Sequence, residues 1–452
     1  MNVYIEQCEN YDGSSIDHVV SSWRSVFSDA IKPGDTVVLK PNWIAETHRY
    51  NEGEWLQVVT HPRIIEAVLK VVLELLQGKG KVTITDGPMT GSSWKKLMEI
   101  MQPERWIEMG KSANIDVAVL DLRDHEWTIK GDIIVERKEL QGDPLGSVVC
   151  DLSSRSEFVG KEIGKLGFFG ADYNQQETNE AHSGGKHLYK VSRTVLEADV
   201  FINLPKLKTH KKSGVTCSLK NLVGINTYKN WLPHHTGGSP NEGGDQFPEK
   251  SIRSFAEGRS TRALYDFLAK NPHMGKFFIT LKKFGKFVFG DTRKTIRSGS
   301  WFGNDTLWRM VLDLNKILFY ANTDGSLRAD VPASRKKYIS LVDAVISGDG
   351  NGPDAPDRKD TGLLIIGTDP VSVDCVCAKL MGFDWQKIPI TKNSFAVKNF
   401  AFIDGAYEDI QVESTIDRFN NLLCKIKDED SFCFEPSVGW KGHVESPFRM
   451  DQ

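Results

Sequence analysis

The 452-residue chain lacks the features that mark several common protein classes. Its seven cysteines are scattered and none form a CxxC pair. That argues against a zinc ribbon or a ferredoxin-type iron–sulfur cluster and favours a reducing compartment. The first thirteen residues have no apolar core and predict no signal peptide. Charged residues interrupt the most apolar run, 64–76, so no segment is expected to span a membrane and a cytoplasmic protein is predicted.

Motifs for nucleotide and calcium binding are also missing. No G-x-x-x-x-G-K-[ST] P-loop is present, and no G-x-G-x-x-G follows a predicted strand. The aspartate-rich segment 348–360 (GDGNGPDAPDRKD) is predicted to be a loop but not an EF-hand, because Asp354 stands where that motif needs glycine. The formal net charge of −3 gives no specific indication of nucleic-acid binding.

The regular elements of the sequence predict an α/β fold. Residues 36–40 and 81–85 have the composition of buried strands, and 62–77 between them has the apolar face and initial proline of a helix. Strand, helix and strand at this spacing form a βαβ unit with a right-handed crossover. We therefore expect a mostly parallel sheet with flanking helices and a Rossmann-like core. Further predicted elements are strands at 199–204, 338–346 and 363–367 and helices near 218–222 and 371–381.

A basic, aromatic segment interrupts this pattern. Residues 250–297 contain twelve Lys or Arg against three Asp or Glu, together with seven phenylalanines. We divide the chain into a first part of the α/β body at 1–235, a basic, aromatic-rich helical insertion at 236–300, and a second part of the body at 301–452. The insertion is interpreted as a cap packed on the body. Peripheral contact with a membrane or another protein is the alternative, because phenylalanines alternate with lysines as in interfacial helices.

Charged and polar residues follow one predicted strand after another. Ligands of open parallel sheets bind beyond the carboxyl ends of the strands. Charged groups in such a place are partly desolvated, which costs free energy unless they have a function. We therefore expect these residues to converge on one pocket at one edge of the sheet. They are Lys40, Asn42, Asp86, Lys206, Lys208, Asp343, Asp349 and Asp369.

The segment 204–224 (LPKLKTHKKSGVTCSLKNLVG) is the richest in candidate ligand-binding groups. We predict a basic loop whose lysines, together with Gly214 and the free N–H groups of the following helix start, bind a phosphate or a carboxylate. A lysine run alone would favour a solvated basic loop, but its place after a buried strand and before a helix favours anion binding. The predicted ligand is a small anionic metabolite. Its predicted binding residues are Lys40, Asn42, Lys206, Lys208, Asn221, His182 and Lys186.

Histidines supply candidate groups for proton transfer. His210 lies in the basic segment, and His234 and His235 follow it in NWLPHHTGG. Although a lone surface histidine usually has no such role, several histidines in glycine-rich segments near a basic cleft favour one. We predict that these three histidines and Lys220 are catalytic.

These groups favour an enzyme performing acid–base chemistry on a carboxylate or phosphate metabolite, as an isomerase, racemase or lyase. A magnesium- and nucleotide-dependent transferase or ligase is one alternative. A non-enzymatic scaffold or membrane-surface protein, acting through the basic insertion, is another. Under the first alternative, a divalent metal would bind to four aspartates. Asx-type turns explain aspartates at such positions without any ion. These aspartates are Asp86, Asp343, Asp349 and Asp369.

Longer motifs of the chain resemble a known family. The runs SRTVLEADVFINLPKLKTHKKSGVTCSLKNLVGIN, NWLPHHTGGSPNEGGDQFP, NDTLWRMVLDLNKILFYANTDG and GNGPDAPDRKDTGLLIIGTDPVSVD resemble the family catalogued as domain of unknown function 362, over roughly residues 40–395. Some members carry ferredoxin-type cysteine clusters. This chain lacks them, so the resemblance implies no iron–sulfur cluster and no electron-transfer role. It marks as family features Lys40, Pro41, Asn42, Asp86, Lys206, Lys208, His210, Lys220, Asn221, His234, His235, Asp343 and Asp369.

A fainter likeness concerns only about twenty residues. The arrangement PKLKTH followed by SLKNLVG is similar to segments of proteins related to nickel-dependent lactate racemase. The analogy is at the level of the fold, and it implies no activity by itself.

Overall fold

A computed structural model describes residues 1–130, 133–172, 174–249, 298–328, 335–397 and 400–450, together with a few positions between 263 and 296. The predicted α/β fold is confirmed, because helices flank a large, mostly parallel central sheet. Within the basic insertion at 236–300, most residues from 250 to 297 lie outside the described part of the chain. Its helical character and the proposed domain boundaries therefore stay predictions.

Strands and helices alternate along the first part of the chain. The strands are β1 (Asn2–Gln7), β2 (Thr36–Pro41), β3 (Lys81–Asp86), β4 (Asp116–Asp121), β5 (His125–Lys130), β6 (Ile133–Glu139), β7 (Ser147–Asp151), β8 (Phe168–Gly170), β9 (Leu188–Ser192), β10 (Val200–Leu204), β11 (Lys206–His210), β12 (Gly214–Thr216), β13 (Pro233–Thr236), β14 (Lys337–Asn351), β15 (Ala355–Gly367) and β16 (Gln411–Ser414). The helices are α1 (Gly13–Ser22), α2 (Arg24–Ala30), α3 (Pro62–Leu76), α4 (Trp94–Met101), α5 (Glu104–Ser112), α6 (Gln175–Ala181), α7 (Arg193–Glu197), α8 (Ser218–Asn221), α9 (Leu307–Tyr320), α10 (Pro370–Met381), α11 (Pro389–Ser394) and α12 (Pro447–Met450). None of the described helices is long and apolar enough to cross a membrane.

The central sheet has ten strands in the order β16-β1-β15-β14-β10-β2-β3-β4, with β11 attached to β14 and β12 attached to β11. β2, β3, β4, β10 and β14 are parallel to their neighbours in this group. β15 is antiparallel to both β14 and β1. The two predicted parts of the α/β body therefore share one sheet, since β14 and β15 lie between β10 and β1.

The central βαβ unit forms for the reasons that the sequence indicated. α3 begins with Pro62, and the side chain of His61 accepts a hydrogen bond from the backbone N–H of Arg63 at 3.2 Å. Its apolar stripe, including Ile64 and Val68, is fully buried. Each such side chain stabilises the fold by about 1.5–3 kcal/mol. The parallel pairing of β2 with β3 brings their carboxyl ends to the same edge of the sheet.

Two segments predicted as loops are strands. The basic stretch that begins at Lys206 is β11, which pairs with β14 and with β12. The aspartate-rich stretch 348–360 continues the long hairpin of β14 and β15. Charge and glycine content argued against strands in both places, but the pairing with distant strands decides the conformation because it satisfies the backbone groups.

The prediction that Asp369 shares the edge of Lys40 and Asp86 is wrong. β15 runs against its neighbours, and its last residue, Gly367, pairs with Ser340 near the beginning of β14. Asp369 therefore follows its strand at the opposite edge of the sheet. There its carboxylate accepts a hydrogen bond from the N–H of Ser372 at 2.7 Å and caps α10.

Candidate anion-binding site

Two lysine–aspartate pairs form the buried foundation of the carboxyl edge of the sheet. At the ends of β2 and β3, the Lys40 ammonium lies 2.8 Å from the carboxylate of Asp86. That carboxylate also accepts the backbone N–H groups of Trp43 and Gly87, each at 2.8 Å. Both members of the pair are buried, and Lys40 also donates to the carbonyl of Pro41 at 3.1 Å. This arrangement matches a structural ion pair.

The second pair joins β11 to β14. Lys206 lies 2.9 Å from the carboxylate of Asp343 and donates to the Tyr11 hydroxyl at 2.7 Å. Tyr11 in turn donates to Asp343 at 2.8 Å, and the backbone N–H of His61 completes the carboxylate's shell at 2.9 Å. The Lys206 ammonium, the Tyr11 hydroxyl and both carboxylate oxygens of Asp343 thus have hydrogen-bond partners within the protein.

An amide network links β2 to α8. The Asn42 side chain donates to the side-chain oxygen of Asn221 at 2.8 Å and accepts from the Lys208 ammonium at 3.0 Å. Asn221 also donates to the side chain of Asn203 at 2.7 Å, and Lys208 donates to the carbonyl of Val58 at 2.5 Å. Burial and the charge of Lys206 lower the pKa of Lys208 well below its usual value.

Lys220 on α8 is different from these paired lysines. It is buried, with 8% of its surface exposed, and among the described residues its ammonium has neither a hydrogen bond nor an ion pair. Burial, together with the charges of Lys229 and Lys40, lowers its pKa to about 7 against the opposing effect of Asp86. A cation of this kind is costly unless an anion from outside the chain accompanies it.

Four other basic groups interact electrostatically with Lys220, and we call the five together the cation cluster. Burial lowers the pKa of Lys212 to about 7 and that of Lys229 to about 8. Lys229 donates to the carbonyl of Asn226 at 2.8 Å. After burial, the Lys220 charge is the largest cause that lowers the pKa of His210 well below its usual value. The cation cluster consists of His210, Lys212, Lys220, Lys229 and His234.

The two histidines of the cation cluster are neutral and have opposite tautomers. Burial lowers the pKa of both well below the usual value, and neighbouring lysine charges add to the effect. In His210, Nδ1 accepts the backbone N–H groups of Lys212 at 3.1 Å and Ser213 at 3.2 Å, which places the proton on Nε2. In His234, Nδ1 lies 2.9 Å from the carbonyl of Leu232 and must donate, which leaves a lone pair on Nε2. His210 therefore presents an N–H donor and His234 a base.

A cavity of about 620 Å³ reaches the cation cluster at Lys212, the one member of the cluster in its lining. Lys212 and His235 line it, together with Lys211, Asp172 and Asp354. The His235 ring stacks on Phe169 at 4.8 Å, and its buried Nε2 has no hydrogen-bond partner among the residues that the structure describes. The cavity is large enough for a small metabolite, within the ordinary size range of ligand sites.

Several predicted site residues do not join this group. His182 lies in a separate cavity of about 670 Å³, where its Nδ1 is 3.3 Å from that of His187 and its Nε2 is 3.0 Å from the carbonyl of Trp231. Lys186 is exposed in the adjoining turn. Asp349 lies 3.5 Å from Lys359 on the outer part of the β14 and β15 hairpin.

The aspartates predicted for a metal do not converge either. Asp86 and Asp343 pair with different lysines, and Asp369 lies at the opposite edge. In the part of the chain that the structure describes, no group of three or more His, Cys, Asp or Glu side chains is placed to hold a metal ion. The predicted free N–H groups at the start of α8 are also engaged, because Asp374 accepts those of Ser218 at 2.6 Å and Leu219 at 3.2 Å.

The sequence did not predict two residues that are important in the structure, Lys229 and Tyr11. Lys229 was not predicted, because it stands alone in an irregular segment after α8 and only the tertiary structure brings it to the cation cluster. Tyr11 lies 332 residues from Asp343, its hydrogen-bond partner. Neither has a local pattern that could have indicated its position.

Comparisons with known proteins find one matching family model and several similar chains, and they assign no activity to this protein. The model of the family described as domain of unknown function (DUF362) matches residues 37–142 and 159–379. Thylakoid-associated protein sll1697 from Synechocystis sp. is 23% identical over 221 residues, which make up 48% of this chain and 48% of that protein. The match thus spans about half the length of this curated relative.

Two solved structures are similar to the chain at low scores. A protein from Thermotoga maritima has a TM-score of 0.33 and 9% identity, covering 78% of this chain and 55% of its own. The lactate racemase apoprotein from Thermoanaerobacterium thermosaccharolyticum has a TM-score of 0.29 and 9% identity, covering 75% of this chain and 50% of its own. Both TM-scores are too low to support an inference about activity.

Proposed function

Since the chain belongs to the DUF362 family, whose description names no activity, we propose from its own residues that it binds a small carboxylate- or phosphate-bearing metabolite at the cation cluster and moves a proton on it. One observation carries the proposal. The Lys220 ammonium is buried among cations and, within the described residues, no carboxylate or other acceptor contacts it.

Electrostatics support an anionic ligand. Besides burial, like charge lowers the pKa of three lysines. The charge of Lys220 lowers the pKa of Lys212, and the charge of Lys229 lowers that of Lys220. The charge of Lys40 lowers the pKa of Lys229. A bound anion would reverse this effect for all of them at once and would accept charge-assisted hydrogen bonds. Lys40 and Lys206 lack this capacity, since aspartates already neutralise them.

The two histidines support proton transfer. The lone pair on Nε2 of His234 is suited to remove a proton from the bound metabolite, and the Nε2–H of His210 is suited to donate to an oxygen that becomes negative. The neighbouring lysine charges would stabilise an enolate or a similar anion. Isomerisation, racemisation and elimination each require such a base and such stabilisation.

Anion binding is tested by calorimetric titration with inorganic phosphate and, separately, with oxalate. We expect the Lys220→Gln variant to bind about tenfold to a hundredfold more weakly, since a hydrogen bond to a charged group contributes about 1.5–3 kcal/mol. Lys79→Gln is the matched control, because Lys79 is exposed at the turn before β3, at the opposite edge of the sheet. Equal losses in both variants, or no binding by the unaltered protein, would contradict the proposal.

Proton transfer is tested by incubating the protein with a panel of carboxylate metabolites in D₂O and following deuterium incorporation by NMR. We expect exchange at a carbon next to the carboxylate or carbonyl in one class of compound. The His234→Gln variant should lose this exchange while keeping phosphate binding. If it exchanges at the rate of the unaltered protein, His234 is not the base.

A further inference from the structure

We infer that Lys220 acts as a nucleophile that forms an imine with the carbonyl carbon of a small oxo acid held at the cation cluster. The inference rests on the proposed function and narrows it to one substrate class. An oxo acid carries both groups that the site addresses, a carboxylate for the lysines and an electrophilic carbonyl for the amine.

The backbone around Lys220 is held firmly. Asp374 from α10 accepts the N–H groups of Ser218 and Leu219, the two residues before it. Leu219 is fully buried, and the Asn221 side chain forms hydrogen bonds with the side chains of Asn42 and Asn203. Lys220 therefore extends from a short helix whose backbone is fixed on both sides, which limits the entropy lost on reaction.

A comparison with the neighbouring lysines sets Lys220 apart. Lys40 and Lys206 contact aspartates, and Lys208 donates to an amide and a carbonyl oxygen. Lys229 donates to the carbonyl of Asn226 at 2.8 Å. Accepting groups of this kind engage the N–H protons and favour the ammonium form, which lacks the free electron pair that the reaction needs. Within the described part of the chain, Lys220 has no such partner.

The protonation state of Lys220 suits the reaction. Burial and the charges of Lys229 and Lys40 lower its pKa to about 7, so about half of the molecules carry a neutral amine at neutral pH. Placing an amine beside other cations in a desolvated site is a general way to activate a lysine toward carbonyl compounds. An exposed lysine, with a pKa near 10.4, is almost fully protonated under the same conditions.

The step balances without any further reactant. The electron pair on Nζ forms a bond to the carbonyl carbon, and the oxygen takes up a proton to give a carbinolamine. The second proton of the amine then transfers to the same oxygen, which leaves as water when the C–O bond breaks and the C=N bond forms. The Nε2–H of His210 and the lone pair on Nε2 of His234 supply the donor and the acceptor for these transfers.

The test uses the full chain and trapping with cyanoborohydride. Pyruvate and glyoxylate serve as oxo-acid probes, lactate as a probe with the carboxylate and no ketone, and acetone as a probe with the ketone and no carboxylate. We expect a single reduced adduct with the two oxo acids, which peptide mass spectrometry localises to Lys220. Its yield should reach half of its maximum near pH 7. Lactate should give no adduct, and acetone much less than pyruvate.

Two variants separate the possible causes of failure. Lys220→Arg keeps the charge and cannot form an imine, so it should bind phosphate without trapping pyruvate. Lys79→Gln should trap as the unaltered protein does. An adduct at Lys212 or Lys229, labelling spread over surface lysines, or pyruvate binding without an adduct would each overturn the inference and leave anion binding intact. A protein that binds neither phosphate nor pyruvate would overturn the proposed function as well.

Discussion

Replacing Gly224 with alanine perturbs the buried foundation of the site through a single methyl group. A Cβ at this position would lie 1.8 Å from the Asp86 carboxylate and 2.8 Å from the Lys40 ammonium. Both distances are far below van der Waals contact, and the partners cannot withdraw because they are buried at the ends of β2 and β3. The methyl group should therefore separate the ion pair.

The expected cost follows from the pair that is broken. Disrupting a buried ion pair typically lowers the free energy of unfolding by about 3–5 kcal/mol, because each charge loses its partner without gaining water. Urea titration followed by tryptophan fluorescence measures the change, and the buried Trp43, whose backbone N–H bonds to Asp86, lies beside the perturbation. Gly13→Ala is the matched control, since nothing lies within 4 Å of its added Cβ.

The stability losses caused by Gly224→Ala and Asp86→Asn should depend on each other. Asp86→Asn alone should destabilise the protein by a similar amount, because it leaves the Lys40 ammonium unpaired. If Gly224→Ala acts through the same pair, the double variant should lose clearly less than the sum of the two single losses. The explanation is refuted if the two effects add in full, or if Gly224→Ala is as stable as the Gly13→Ala control.

Further predictions concern pH, a second ion pair and the two alternative functions. The pKa of Lys220 is lowered to about 7, and a bound anion should raise it. Phosphate affinity should therefore fall as the pH rises above 7, and binding at pH 8 should take up protons. A heat of binding that is the same in buffers of different ionisation enthalpy would contradict this proton uptake. Burial raises the pKa of Asp354, but the charges of Lys211 and Arg49 outweigh this effect and lower the pKa from 3.8 to about 2. The carboxylate therefore contributes about 2 kcal/mol to the free energy of unfolding above pH 4, and this contribution is lost as the pH falls toward 2. Asp354→Asn should accordingly be less stable than the unaltered protein in urea titrations at pH 7 and nearly equal to it at pH 2. Deleting residues 250–297 should reduce co-sedimentation with anionic vesicles if this segment contacts membranes, and equal sedimentation would end that interpretation. Titration with nucleotides in the presence and absence of magnesium tests the transferase or ligase alternative, and silence under both conditions counts against it.

Local sequence patterns predicted a large part of the fold. The period of apolar residues and the proline at the start of α3 identified that helix, and runs of β-branched residues identified β2, β3 and β10. From those elements alone it followed that Lys40 and Asp86 would lie at one edge, because the carboxyl ends of parallel strands meet there. The structure confirms that these two side chains are in contact.

Strand direction was outside the reach of local patterns. A strand has the same composition whether it runs with or against its neighbours, so Asp369 was assigned to the wrong edge. The lysines of β11 argued for a loop until their partners were known. Lys206 is neutralised by Asp343, and Lys208 donates to Asn42 and to the carbonyl of Val58.

The sequence by itself determined which chemical groups this protein has and on which short elements they stand: lysines and histidines in one basic segment, and aspartates after successive strands. Only the tertiary structure decided which of these groups neutralise each other and which do not. Lys206 finds Asp343 across 137 residues, whereas Lys220, fourteen positions further along the chain, has no acceptor among the described residues. The physical reason is that a counter-ion is chosen by distance in space, and contacts between distant segments are set by the packing of the whole sheet.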